Sequence, residues 1–175
     1  RVRFAFTSCQ HYESGYFNGY PHMQKEDLDL VVHLGDYIYE TTGDPSFQNT
    51  ESNRRSLFSN PDEAIAFNEG TDAEYHAARS IGNYRDLYQV YRSDRDLQRL
   101  HERFPFIVIW DDHEFSDDCW GANGTYFDGK QDEYDSSRRQ AANQAWFEFM
   151  PVDYMNKPHF QYGQEEYPND IQIFR

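Results

Sequence analysis

The chain has 175 residues, a length typical of one globular domain. Its 31 acidic and 16 basic residues give a formal charge of −15, which disfavours stable nucleic-acid binding because Lys and Arg supply most of the affinity for phosphates. Aromatic residues make up 18% of the chain, too many for a disordered acidic segment, and no apolar run is long enough to span a membrane.

Two nearly continuous apolar runs predict buried strands. Residues 28–34 read Leu-Asp-Leu-Val-Val-His-Leu, and residues 106–110 read Phe-Ile-Val-Ile-Trp. Runs of this kind are typical of parallel strands that are covered on both faces. Residues 3–8 predict another strand, since aromatic residues alternate there with Arg and Ala. Residues 170–175 also predict a strand, so the chain begins and ends within strands, and we expect it to be a truncated part of a longer protein.

Helices are predicted between these strands. Residues 84–91 favour a helix, and residues 93–104 favour it more clearly, with Ser93 as the cap and Leu97, Leu100 and Phe104 on one face. Residues 136–150 form an amphipathic pattern. Residues 41–82 contain many Gly, Pro, Asn and Ser residues, which predicts a long loop or lid. The alternation of buried strands and helices indicates α/β architecture.

Side chains suited to metal binding or catalysis follow three of the predicted strands, in chain order Cys9, Asp36, Tyr39, Asp111, Asp112 and His113. If the strands are parallel, these side chains share one crevice at the carboxyl edge of the sheet. Carboxylates that are crowded at such an edge repel each other and resist desolvation. A bound multivalent cation would remove that cost.

Each of these residues also has an ordinary structural interpretation. Asp36 can cap a helix, Tyr39 can be a core aromatic residue, and His113 can be a partly buried histidine with satisfied hydrogen bonds. A lone Cys9 can serve packing alone, and adjacent aspartates can form a solvated pair. The joint occurrence of all these residues at three successive strand ends favours a cation site, which the acidic surplus also fits.

Three motifs resemble those of the PhoD-type alkaline phosphatases, a family within the calcineurin-like metallophosphoesterase superfamily. They are Ser-Cys-Gln at 8–10, Gly-Asp-Tyr-Ile-Tyr-Glu at 35–40 and Trp-Asp-Asp-His-Glu at 110–114. The resemblance continues between the motifs and covers nearly the whole chain. It implies that residues 1–175 are the N-terminal portion of a catalytic domain with a metallophosphoesterase-type α/β sandwich, whose remaining metal ligands lie beyond this sequence.

The resemblance implies Fe³⁺ and Ca²⁺ as cofactors. Asp36 would bridge the metals, Cys9 and Tyr39 would bind iron, Asp112 would bind the second metal, and Asp111 would be a neighbouring candidate ligand. Phenolate and thiolate are anionic donors that suit a trivalent iron, and carboxylates supply the oxygen ligands that Ca²⁺ prefers.

The activity implied by the resemblance is that of a phosphatase or phosphodiesterase, which hydrolyses small phosphomonoesters or phosphodiesters with a metal-activated water. His113 would lie near the phosphoryl oxygens or the leaving group. Since the family is commonly exported, we expect an extracellular or periplasmic protein, although this chain contains no signal peptide. The isolated chain is expected to bind metal weakly and to be a poor catalyst.

One departure from the family pattern leaves an alternative open. Asp117 and Asp118 stand where an Asn-rich stretch is expected, and they can either strengthen cation binding or only solvate the loop. A non-catalytic acidic module that is derived from the same fold and binds Ca²⁺ or a protein partner is therefore the second hypothesis.

Overall fold

The computed structural model describes residues 1–46, 53–124, 133–150 and 152. The helices in this part of the chain are α1 (Tyr20–Met23), α2 (Ile81–Arg92), α3 (Arg95–Arg103) and α4 (Ser136–Phe149). The strands are β1 (Phe4–Thr7), β2 (Leu30–His33), β3 (Thr41–Thr42), β4 (Ile65–Phe67), β5 (Tyr75–Ala77), β6 (Phe106–Val108), β7 (Asn123–Gly124) and β8 (Glu133–Tyr134). The predicted α/β class is confirmed, whereas the strand predicted over 170–175 lies outside the described residues.

In the described part of the chain, the central sheet consists of the three strands predicted over residues 3–8, 28–34 and 106–110. Its order is β1-β2-β6, and both pairs of neighbours are parallel. Phe6 lies opposite Val32, and Val32 lies opposite Ile107. Because the strands are parallel, their carboxyl ends meet at one edge of the sheet, as the sequence analysis required.

The two faces of this sheet differ in their burial. Val31 and Val108 point to one face and join a hydrophobic core that includes residues of α2, α3 and α4. On the other face, Phe4, Phe6 and Ile107 are 57%, 66% and 49% exposed. Coverage on both faces was predicted for β2 and β6 alone, and it is wrong for the described residues. The helices pack against one side of the sheet, so Ile107 of β6 is exposed and Val32 of β2 is only partly buried.

The helices begin at residues whose side chains accept backbone hydrogen bonds. Ser80 and Asn83 form a capping box at the start of α2. The Asp94 carboxylate caps α3 by accepting hydrogen bonds from two backbone N–H groups of its first turn, both at 2.9 Å. Ser93, which we predicted as this cap, instead donates its hydroxyl to the carbonyl of Val90 at the end of α2. No helix in the described part of the chain is long and apolar enough to cross a membrane.

Residues 41–82, predicted as a loop or lid, contain regular structure. Their described part includes a three-stranded antiparallel sheet in the order β3-β5-β4 and a short 3-10 helix at Pro61–Glu63. Thr41 pairs with Ala77 in this sheet. Pairing between residues so far apart in sequence leaves no local periodicity, which is why the composition of this segment indicated a loop.

Candidate metal centre

The ends of β2 and β6 lie in direct contact at the carboxyl edge of the central sheet. Gly35 follows β2 with a φ of +100°. A Cβ atom at this position would lie 2.6 Å from the backbone nitrogen of Asp111. Only glycine allows both the left-handed conformation and this approach. On the other side of Gly35, its carbonyl accepts a hydrogen bond of 3.2 Å from the backbone N–H of Cys9, so the segments after all three strands lie side by side.

The Glu114 carboxylate joins two of these strand ends. It accepts hydrogen bonds from the backbone N–H groups of Asp36 (3.2 Å), Tyr37 (2.5 Å) and Asp111 (2.7 Å). Burial raises the pKa of Glu114 to about 7, against the opposing effect of these hydrogen bonds. Glu114 thus fixes the backbone that carries the candidate ligands. Glu114 belongs to the motif at 110–114, but no role was predicted for it from the sequence.

Three of the predicted site residues form a compact group that could hold a metal ion. One carboxylate oxygen each of Asp36 and Asp112 and one ring nitrogen of His113 lie within 4.8 Å of one another. Asp36 is only 6% exposed, and its Oδ1 has no hydrogen-bond partner in the described part of the chain. Burial raises the pKa of Asp36, and the charges of Asp112 and Asp111 raise it further. Because a buried, unsatisfied carboxylate oxygen is costly, a cation at this point fits the site.

Cys9 and Tyr39 lie next to Asp36. The Cys9 thiol donates to Asp36 Oδ2 at 3.3 Å. Cys9 and Asp36 have φ angles of +53° and +54°, which are uncommon for residues other than glycine. A hydrogen bond with Ser8 favours the Cys9 thiolate, but burial and the Asp36 charge outweigh it and raise the pKa of Cys9. Burial, followed by the charges of Asp36 and Cys9, raises the pKa of Tyr39 well above its usual range. Both side chains therefore favour their neutral forms, and a cation beside them would favour the anionic forms instead.

His113 is held by a carboxylate that the sequence analysis did not select. His113 Nδ1 lies 2.8 Å from Oε2 of Glu40, which is fully buried. Glu40 Oε1 accepts a hydrogen bond of 2.8 Å from the backbone N–H of Asp117, and the His113 ring lies 4.0 Å from the Tyr39 ring. Burial opposes protonation of His113, but Glu40, with Asp36 and Asp112, raises its pKa to about 9. Glu40 is the last residue of the motif at 35–40, and this position is the only feature of the sequence that pointed to a role for it.

The remaining acidic residues lie around this group. Asp111 is exposed and lies outside the group formed by Asp36, Asp112 and His113. Carboxylate oxygens of Asp112, Asp117 and Asp118 form a second group within 4.8 Å, so Asp112 belongs to both. The backbone N–H of Asp118 also donates to Asp112 Oδ2 at 2.5 Å. The residues that depart from the family pattern therefore lie at the site itself.

Comparison with known proteins gives consistent matches. The sequence model of the family described as PhoD-like phosphatase matches residues 4–171. Alkaline phosphatase D of Bacillus subtilis (strain 168) is 39% identical over 172 residues, which cover 93% of this chain and 26% of that protein. A solved structure of PhoD matches with a TM-score of 0.66 and 37% identity, over 87% of this chain and 26% of that chain. This chain therefore spans about a quarter of the length of either relative.

Proposed function

Because the chain belongs to the PhoD-like phosphatase family, we propose that it carries part of the active site of a metal-dependent phosphatase or phosphodiesterase. The full protein would hydrolyse small phosphomonoesters or phosphodiesters. The observation that carries the proposal is the position of Asp36, whose buried Oδ1 lacks a hydrogen-bond partner among the described residues and whose carboxylate lies in reach of Asp112 and His113. A cation between the Asp36 and Asp112 carboxylates would satisfy this oxygen and reduce the repulsion between them.

The donor set fits two kinds of cation. Cys9 and Tyr39 would bind Fe³⁺ as thiolate and phenolate, each releasing a proton on binding. Asp36 would bridge to Ca²⁺, which Asp112 would bind through carboxylate oxygen, with Asp111 as a further candidate ligand. When bound, the cations supply Lewis-acid activation of the phosphoryl group and of the attacking water. Their charge also explains how a chain of net charge −15 accepts an anionic substrate.

His113 is the proposed catalytic residue. Because Glu40 accepts the hydrogen bond at Nδ1, Nε2 is the ring nitrogen left to face a substrate. Nε2 lies 3.4 Å from Asp117 Oδ1 in the structure, so a phosphoryl or leaving-group oxygen would take the place of this carboxylate as its partner. The negative charge of Glu40 favours the protonated ring, which can give this proton to the departing alkoxide. Glu40 acts only through His113 and is therefore a positioning residue.

Membership of the family also suggests where the protein is located and what it binds. We propose an extracellular or periplasmic protein that acts on small phosphoesters and does not bind nucleic acid stably. The non-catalytic acidic module is less favoured, because the match to the phosphatase family spans all three strand-end motifs. The second acidic group around Asp112 is compatible with either interpretation.

Replacement of Asp36 with Asn in the full-length protein tests the proposal. The variant keeps the size of the side chain but removes the negative charge that would bridge the metals. Loss of a residue that only supports a metal ligand typically lowers activity by up to about 100-fold, so hydrolysis of an aryl phosphate by D36N should fall by more than about 100-fold. Asp72, an exposed residue of the β4–β5 turn, gives the matched control D72N, which should retain full activity. Unchanged activity of D36N, or no aryl phosphate hydrolysis by the unmodified protein, would contradict the proposal.

A further inference from the structure

A cavity of about 390 Å³ lies directly beside the candidate metal centre. Asp112 belongs to both, because it lines the cavity and contributes to the group with Asp36 and His113. Besides Asp111, Cys119 and Gly121, the remaining wall consists of apolar side chains and one cation, namely Leu34, Ile109, Trp110, Trp120 and Arg139. A phosphoester whose phosphate lies at the metal centre would therefore extend its organic group into this cavity.

Arg139 brings a positive charge to this cavity that no described carboxylate neutralises. Its guanidinium lies 5.5 Å from the Trp110 ring and 5.0 Å from the Phe115 ring, and it donates a hydrogen bond to Cys119 Sγ at 3.8 Å. Among the described residues, no Asp or Glu lies within ion-pair distance of it. Although the chain has a net charge of −15, the half-buried Arg139 guanidinium can therefore form an ion pair with an anionic ligand in the cavity.

The apolar wall determines what kind of group can accompany that anion. Trp120 is 69% exposed, so its indole ring can pack against a flat group in the cavity. Asp111 lines the cavity, lies outside the compact group of Asp36, Asp112 and His113, and repels an anion from its side. An anionic charge on the bound group is therefore directed towards Arg139 rather than towards this carboxylate.

We propose that this cavity is the subsite for the non-reacting part of the substrate, and that it selects an aromatic group with a second anionic charge. The indole of Trp120 would pack against the aromatic ring, and Arg139 would form an ion pair with the anion. This inference rests on the proposed phosphatase function, since it places the reacting phosphate at Asp36 and Asp112. Arg139 thereby becomes a specificity-determining residue for the same reaction.

Binding of two phosphonates to the full-length protein, measured by calorimetry, tests the subsite without catalysis. Phenylphosphonate and 4-carboxyphenylphosphonate differ only in the second anion, and the carboxylated compound should bind about ten-fold more tightly, as expected for one charge-assisted hydrogen-bonded pair. R139Q should abolish this preference while leaving the affinity for phenylphosphonate nearly unchanged, and R139K should retain part of it. R99Q removes the same charge at an exposed site and should leave both affinities unchanged.

Trp120 provides an independent measurement. W120A should weaken the binding of both phenyl compounds relative to methylphosphonate and keep the preference for the carboxylate. If the unmodified protein binds no phosphonate, the proposed function itself fails. If it binds both phenyl compounds equally, or if R139Q and R139K keep the full preference, the subsite is refuted and the phosphatase proposal stands.

Discussion

Replacement of Gly35 with Ala tests whether the contact between the ends of β2 and β6 assembles the site. Gly35 has a φ of +100°, and an added Cβ would lie 2.6 Å from both Cβ and the backbone nitrogen of Asp111 and 2.9 Å from the carbonyl carbon of Trp110. Two of these three atoms belong to the backbone, which cannot rotate away as a flexible side chain can. The two strand ends must therefore separate to admit the methyl group.

The expected cost has two parts. A left-handed conformation costs an alanine about 1–2 kcal/mol, and a forced overlap in a packed region typically costs about 1–3 kcal/mol. Together they predict that G35A lowers the free energy of unfolding by about 2–5 kcal/mol. Because the separation also moves Asp36 away from Asp112, G35A should weaken metal binding as well.

Gly70 provides a matched control for the backbone conformation. It has a φ of +75°, but a Cβ at this position would meet no atom within 4 Å. G70A should therefore cost only the conformational part, about 1–2 kcal/mol, and should leave metal affinity unchanged. Urea unfolding of both variants, with and without a chelator, gives the comparison. A G35A variant that is no less stable than G70A, and that binds metal normally, would refute this explanation of the site.

Two further predictions concern His113, which is buried, and His101, which is partly buried. E40Q keeps the shape of the side chain but weakens the acceptor that orients His113, so kcat should fall about 10–100-fold with metal content unchanged; an equal loss in the exposed control E26Q would contradict this. Burial, followed by the charge of Arg92, lowers the pKa of His101 from 6.5 to about 4, so its contribution to stability is present above pH 6.5 and is lost as the pH falls towards 4. An NMR titration of the His101 ring with a midpoint near 6.5 would contradict this assignment.

The parallel sheet could be predicted from the sequence because its signal is local. The apolar runs that contain Val31 and Val108 correspond to neighbouring strands whose side chains enter the core. The exposure of Phe4 and Phe6 could not be predicted, because alternation shows that a strand has two different faces but not which of them is covered.

The cap of α3 shows how local signals compete. Ser93 and Asp94 are adjacent, and both residue types cap helices well. The structure uses Asp94 for α3, while the hydroxyl of Ser93 is hydrogen-bonded to the last turn of α2. The position of the preceding helix end decided between them, and residues 93–104 alone do not show where that end lies.

The residues of the candidate site could be predicted only in part. Motifs at the ends of strands led to Asp36, Asp112 and His113, which the structure places together. The residues that hold them in place were missed because their contacts join distant parts of the chain. Glu40 lies 73 residues from His113, and Glu114 accepts a hydrogen bond from a backbone group 78 residues away. Such pairs leave no pattern in a single sequence.

Elemental analysis of the purified full-length protein tests most directly the proposal that the strand-end residues hold iron and calcium. We predict bound iron and calcium, together with a visible absorption band from the Tyr39 phenolate on iron. Y39F should lose the band, and D36N should lose both metals while remaining folded. A colourless, metal-free protein that still hydrolyses aryl phosphates, or a D36N variant with unchanged metal content, would contradict the claim.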